Sequence, residues 1–349
     1  MQKTILSIDC GTQSLRAILF SLQGDILDKE QISYKPYFSE QPGWAEQDPE
    51  VYWDSLCNAC LAIKSRNSNL FKSIAGVGVT TLRDSMVNVD KDGKTLRPTM
   101  VWLDQRKAKL VYKPGFPLNL ALKVVGMDEA LQRLQKEGKS NWIQQNQHEI
   151  WEQTHKYLQV SGFLNFRLTG EFSDSIASQI GHIPFDYKNL KWGNPKVLMD
   201  FGAKIYPIET EKLPELINPG EELGKITKIA SEQTGIKDGV PVIACGSDKG
   251  CETIGTGVVN SSMASLSFGT TATVQTTVKK YMEPIPFMPS YPAVAINQFN
   301  PEVEIFRGYW MITWFKNEFA YKEVEEAAKK GISAEQVLNG LLTQSPSGA

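Results

Sequence analysis

Apolar positions along the first third of the chain alternate at period two. Thr4 to Ile8 reads as a strand, Arg16 to Ser21 as a second, and Ile26 to Tyr34 as a third, with a turn at Gln23-Gly24-Asp25. Three such runs joined by short polar turns predict an antiparallel meander. The period then changes. From Glu50 to Ser65, Leu56, Cys60 and Ile63 fall on one face, which predicts a helix. Short apolar strands are expected at Ile74 to Thr80, Ser85 to Val89 and Thr99 to Leu103, and helical spacing dominates from about Leu118 to Leu168. Gly239 to Gly246 reads as a buried strand with a helix after it. Met263 to Phe268 and Ala272 to Val278 form a second hairpin, Pro284 to Pro292 a loop, and Tyr309 to Phe319 and Ala334 to Leu342 helices. Ser333 and Gln336 make a capping box for the last of these.

The strand–turn–strand at Ser7 to Gln13 and the one at Ser265 to Thr271 share a Gly-Thr-polar turn. Two such hairpins far apart point to a duplicated architecture and exclude a solenoid. With 349 residues, the chain is long enough for two domains or parts of domains.

Composition narrows the partners. A net charge of -2 offers no basic field for a nucleic-acid backbone. The apolar stretch at the N-terminus is too short for a signal peptide or a membrane span, so a cytoplasmic protein is expected. Five scattered cysteines do not make a disulfide framework. Cys57 and Cys60 form a lone C-x-x-C, which reads as two small core residues on a helix rather than a zinc or redox site.

Three clusters could carry chemistry. The Gly11-Thr12-Gln13-Ser14 turn offers backbone N–H groups and hydroxyls to an anion. Asp9, at the end of the first strand, could hold Mg²⁺ through water. The alternative is a plain β-turn. No P-loop and no Rossmann fingerprint is present. Asp248 follows a buried strand and could take a proton from a substrate hydroxyl, or could simply cap the next helix. Arg83-Asp84 and Trp102-Leu103-Asp104-Gln105-Arg106 stand at strand ends. A carboxylate beside a guanidinium suits adjacent sugar hydroxyls and an indole suits a polyol face, though a surface salt bridge and a core tryptophan would look the same.

Together these segments resemble the FGGY carbohydrate kinases. Ile8 to Ala17 is similar to the family's first phosphate motif, and Leu266 to Thr271 to its second. Gly76 to Asp84 and Val101 to Arg106 are similar to its substrate segments. Leu168-Thr169-Gly170-Glu171-Phe172 with Asp174 is similar to its L-T-G-E stretch, and Gly246-Ser247-Asp248 through Gly257 to the segment with its catalytic aspartate. The resemblance implies an α/β, actin/hexokinase-type (ribonuclease H-like) fold of duplicated domains. A sugar-binding domain is expected over 1–246 and a partial ATP-binding domain over 247–349.

It implies ATP and Mg²⁺, with a sugar or polyol as the other substrate, no nucleic acid, no membrane and room for a homodimer. Asp248 matches the general base and Asp9 the aspartate near metal and phosphate. Gly11, Thr12, Gln13, Arg16, Gly269, Thr270 and Gly308 match the ATP site. Arg83, Asp84, Trp102, Asp104 and Asp248 match the sugar site. Ser140 departs from an expected aliphatic residue. Asp84 stands where glycerol kinases have glutamate, which disfavours glycerol. Ser247-Asp248-Lys249-Gly250 matches none of the well-known substrate classes clearly. The family's chains run further than this sequence, so weak ATP affinity and negligible turnover are expected of it. A sugar-binding regulator and an actin-like ATPase are the competing readings.

Overall fold

The computed structural model describes residues 3–197, 200–268, 271–285, 288–305, 308, 310–343 and 346. Its centre is a six-stranded sheet. The strands run in the order Glu222–Lys225, Pro241–Ile243, Ile74–Thr81, Thr4–Cys10, Ser14–Ser21 and Ile26–Ser33. The last three form the expected antiparallel meander. Thr4–Cys10 and Pro241–Ile243 both run parallel to Ile74–Thr81. Three neighbouring strands therefore end on the same edge, and in α/β sheets that edge is where ligands bind.

Alternation explains the packing. Leu6, Ile8 and Cys10 point inward from one strand and Leu15, Ala17 and Leu19 from the next, all without exposed surface. The helix Pro49–Arg66 covers them with Leu56, Cys60 and Ile63, the face read from the sequence. Asp48 caps this helix by accepting from Glu50 N–H, and Pro49 opens it, as a residue without an N–H can. Every cysteine is free. Burial pushes the Cys57 thiol up to about 12, as suits a packing residue.

A second helix, Val160–Thr169, packs on the same core through Phe163, Leu164 and Leu168. It ends at Gly170, whose φ of +79° is a left-handed cap that disfavours a side chain. The L-T-G-E stretch is thus a helix terminator. Asp174 beyond it is buried and accepts from Ser161, Asn165, Gln179 and the Ser175 N–H. Burial raises its pKa to about 6 against those hydrogen bonds.

The long helical run expected over 118–168 is broken. Lys156–Gln159 is a strand in a four-stranded sheet with Met86–Val89, Thr99–Met100 and Glu46–Gln47. Four residues, three of them buried, abutting a helix carry no period of their own, so spacing alone could not separate them.

The second hairpin is present as Ser265–Phe268 and Ala272–Gln275, joined by Glu302–Ile305 into a three-stranded antiparallel sheet. Gly269 and Thr270 lie outside the described residues. The helices Trp310–Phe319 and Ala334–Leu342 are where the pattern put them, and both halves of the Ser333 capping box form. A helix at Tyr321–Lys330 was not expected. Among the described residues, no helix is long and apolar enough to cross a membrane.

Candidate active site

Asp9, Arg83 and Asp248 follow or end the three parallel strands, and so meet along one edge of the sheet. Thr80 donates its hydroxyl to the Gly246 carbonyl at 2.8 Å, and Thr81 bridges Ser247 in parallel. These contacts fix the strand that delivers Asp248 against the strand that delivers Arg83.

Asp9 faces Arg16 directly across the hairpin, at 2.8 Å. Both side chains are about a third exposed, so the pair contributes little to stability. The turn between them is built, not slack. Gly11 N–H donates to Ser14 O at 2.9 Å, and the Tyr34 hydroxyl donates to Gly11 O at 2.6 Å. Among the described residues, the Thr12 and Gln13 N–H groups donate to no protein acceptor. A cavity of about 490 Å³ opens over Gly11, Thr12, Gln13, Ser14 and Arg16. Two free amides, a guanidinium and a hydroxyl make a fitting anion cradle. Gly308, beyond the strand Glu302–Ile305, lies against the backbone of Thr271 and Ala272 in the second hairpin. A Cβ there would come within 2.4 Å of Ala272 N, so only glycine fits.

Residues fit a hydrated Mg²⁺ better than a bare one. Among the described residues, no three His, Cys, Asp or Glu side chains converge as a metal cage. Asp9 is a single, partly exposed carboxylate beside the cradle with one oxygen on Arg16, which suits an ion that keeps its waters and takes further oxygens from phosphate.

Asp248 is the first residue of the helix Asp248–Gly255, but Ser247 is its cap, accepting from Gly250 N–H at 3.2 Å. Capping therefore does not occupy the Asp248 carboxylate. It accepts from Lys249 N–H at 2.8 Å and stands 3.8 Å from Arg83 Nε, with 37% of its side chain open to the cleft. Enclosure by the cleft walls raises its pKa, and Arg83 opposes the rise.

Arg83 and Asp84 do not act as a pair. Arg83 turns to Glu302, with its two terminal nitrogens 3.1 and 3.0 Å from the two carboxylate oxygens, and the Tyr291 ring lies 5.4 Å away. Asp84 has a left-handed φ of +51° and turns the other way. Its carboxylate takes Lys139 Nζ, the His182 N–H and His182 Nδ1, the latter two at 2.9 Å. Burial would raise the Asp84 pKa, but Lys139 and His182 outweigh it and hold the group well below the carboxylate range. Gly181 makes this approach possible, because a Cβ there would lie 2.4 Å from Asp84 Oδ1.

Trp102 is half-buried, and its indole N–H donates to Thr12 Oγ1 at 3.1 Å, tying its segment to the Gly11–Ser14 turn. Asp104 differs from its expected use. Its side chain is 1% exposed and its oxygens are taken by Arg106 and the Ala45 N–H, so it braces the loop rather than facing the cleft. Three partners that no local pattern flagged are Glu302, His182 and Tyr291. Lys139 directly precedes Ser140, and its contact with Asp84 had no signal in the sequence.

His182 gives the cluster a pH dependence. Burial disfavours its charge, yet Asp84 and the Glu137 carboxylate, 3.8 Å from its Nε2, outweigh burial and raise its pKa above 6.5. A raised pKa means that its contribution to stability is complete below about 6.5 and is lost as pH rises through the folded value. His182→Gln should therefore lie furthest below wild type in melting temperature near pH 6, with the gap closing toward pH 9. A gap that does not change with pH would show that the imidazole is neutral throughout.

A parallel-edged sheet flanked by a hairpin whose turn carries free amides, with a carboxylate opposite, forms a cleft in an actin/hexokinase-type fold. The model for the FGGY family of carbohydrate kinases, N-terminal domain, matches residues 4–255, and the chain belongs to that family. Among its relatives, the uncharacterized sugar kinase YgcE of Escherichia coli K12 is 26% identical, over 97% of this chain and 61% of the relative. The xylulose kinase of Lactococcus lactis is 24% identical, over 98% and 65%. The gluconokinase of Bacillus subtilis is 24% identical, over 97% and 64%. The chain thus spans a little under two-thirds of the length of these relatives. Two solved structures share the fold. The ligand-bound xylulose kinase from Lactobacillus acidophilus has a TM-score of 0.78 at 20% identity, covering 99% of this chain and 66% of that one. The xylulose kinase from Rhodospirillum rubrum has 0.78 at 21%, covering 99% and 68%.

Proposed function

We propose that this protein transfers the γ-phosphoryl group of ATP to a hydroxyl of a sugar or polyol, with Asp248 as general base. One observation supports this above the others: Asp9, Arg83 and Asp248 converge at the ends of three adjacent strands, beside a turn with two free amides. Residues up to about 246 would form the sugar-binding domain, and 247–349 would contribute to the ATP-binding one.

Phosphoryl transfer asks a protein mainly for position and charge. Asp248 would accept the hydroxyl proton as that oxygen bonds to phosphorus and ADP departs. Arg83 would hold a neighbouring hydroxyl from the Nε edge. Thr12 and Gln13 amides, with Arg16, would hold phosphate oxygens, and Gly269, Thr270 and Gly308 would close the site from the second hairpin. Asp9 would hold Mg²⁺ through water, and the ion would there neutralise phosphate charge. Asp84 and Trp102 would form the sugar wall. Asp84 would act through its Lys139 and His182 cluster, Trp102 through its indole face. The xylulose and gluconate kinases among the relatives make ketopentoses and sugar acids the first substrates to try.

A panel of pentuloses, hexuloses, polyols and sugar acids tests the reading in two assays on the full-length protein. One class should raise the melting temperature, since a ligand of the native state stabilises it, and the same class should trigger ADP release. Equal ATP hydrolysis with and without sugar would favour an actin-like ATPase. Sugar binding with no ADP release would favour a regulator.

A further inference from the structure

Arg83 joins the two parts of the chain, and its anchor is a buried acid. Glu302 begins the strand Glu302–Ile305 and is only 3% exposed. Both of its oxygens are on Arg83. The Gln275 amide donates to the same carboxylate and in turn accepts from the Thr253 hydroxyl. Thr253 lies on the Asp248 helix, where its hydroxyl also reaches the Lys249 carbonyl at 2.8 Å. The contacts thus run from the helix that carries Asp248, through Thr253, Gln275, Glu302 and Arg83, back to Asp248 at 3.8 Å.

A guanidinium is a rigid plane with separate edges. Glu302 grips the edge formed by the two terminal nitrogens and leaves the Nε edge toward Asp248. We propose that Glu302 is the positioning residue of this cleft, holding Arg83 so that its Nε edge serves the substrate beside Asp248 instead of closing on Asp248 itself. The inference rests on the carbohydrate-kinase reading of the site. Without Glu302, the nearest carboxylate left to the long Arg83 side chain is Asp248. The neighbouring charges do not replace the anchor. Lys249 is held by Glu252 at 2.8 Å and Ser267 at 2.5 Å, and Asp9 by Arg16. Glu304, whose pKa burial raises, is the other acid on the Glu302 strand.

Calorimetry with D-xylulose, D-ribulose, D-gluconate and glycerol on the full-length protein provides the test. Arg83→Met, Glu302→Gln and the double variant are compared with wild type. For whichever probe wild type binds, Glu302→Gln should weaken binding roughly 10- to 100-fold, the scale of losing a buried orienting partner. The double variant should bind no more weakly than Arg83→Met alone. Removing one partner of a buried pair can unfold a protein, whereas replacing both with apolar groups often does not. Arg83→Met with Glu302→Met therefore serves as the folded control, expected to melt near wild type yet to lose the probe. Wild-type binding by Glu302→Gln while Arg83→Met is weakened would overturn the inference and leave the site reading intact. Additive losses would assign Glu302 to the fold alone. Arg83→Met binding as wild type, or no probe bound by wild type, would overturn the site reading and the inference with it.

Discussion

Asp248→Asn should lower sugar-dependent turnover of the full-length protein by at least ~10²-fold, the usual scale for a general base. Asparagine keeps the shape and cannot take a proton at neutral pH. The surroundings make the variant a clean one. Ser247, not Asp248, caps the helix, so the cap survives. Arg83 loses a neighbour at 3.8 Å but keeps both bonds to Glu302. Sugar affinity and melting temperature should therefore stay close to wild type while turnover falls. The raised pKa of Asp248 adds a second signature. In wild type the acid limb of kcat/KM should lie above the ordinary aspartate value of about 3.9, since activity needs the deprotonated form. Stopped assays across pH check both points. Near-wild-type turnover in Asp248→Asn would place the base elsewhere.

Short-range features of the fold were legible because they depend on neighbours in sequence. Alternation gave the meander from Thr4 to Ser33, and helical spacing gave the face that Leu56, Cys60 and Ile63 bury. A strand end followed by Asp or Arg marked Asp9, Arg83 and Asp248, and the sheet order then brought them together. Partner choice was not legible. Arg83 and Asp84 are adjacent, so a carboxylate–guanidinium pair was the natural reading, but the left-handed φ at Asp84 sends the two side chains apart. Arg83 finds its acid 219 residues away, and Asp84 finds His182 98 residues away. Trp102 meets Thr12 across 90 residues. Nothing in spacing or composition encodes such pairings; they follow only once the sheet order is known.

Asp104 shows the same limit in a place with larger energetic weight. Its partner Arg106 belongs to a buried network with Glu46 and Arg97, all with side chains 7% exposed or less. Glu46 Oε1 accepts from both Arg97 and Arg106, the latter at 2.8 Å. The Trp44 and Trp142 rings lie 4.1 and 4.6 Å from the Arg106 guanidinium. Two cations and two carboxylates balance. Glu46→Gln removes one negative charge and leaves a net positive charge in the interior. Arg97 suffers most, since its remaining side-chain partner among the described residues is the neutral Gln147 at 2.7 Å.

Breaking a buried pair in this way costs about 3–5 kcal/mol. In a protein of this size that lowers the melting temperature by roughly 4–7 °C. The exposed Arg66, paired with Asp28 and Glu30 at the surface, is the control, and Arg66→Gln should move the melt little. The network also sets the segment that carries Trp102 and hence the indole bond to Thr12. Glu46→Gln should therefore weaken sugar and phosphate ligands together, unlike Arg83→Met, which should affect the sugar far more than ADP. Scanning calorimetry decides the stability claim. A Glu46→Gln melt as close to wild type as that of Arg66→Gln would mean that water or a shifted side chain compensates the arginines, and the network would not hold this wall of the cleft.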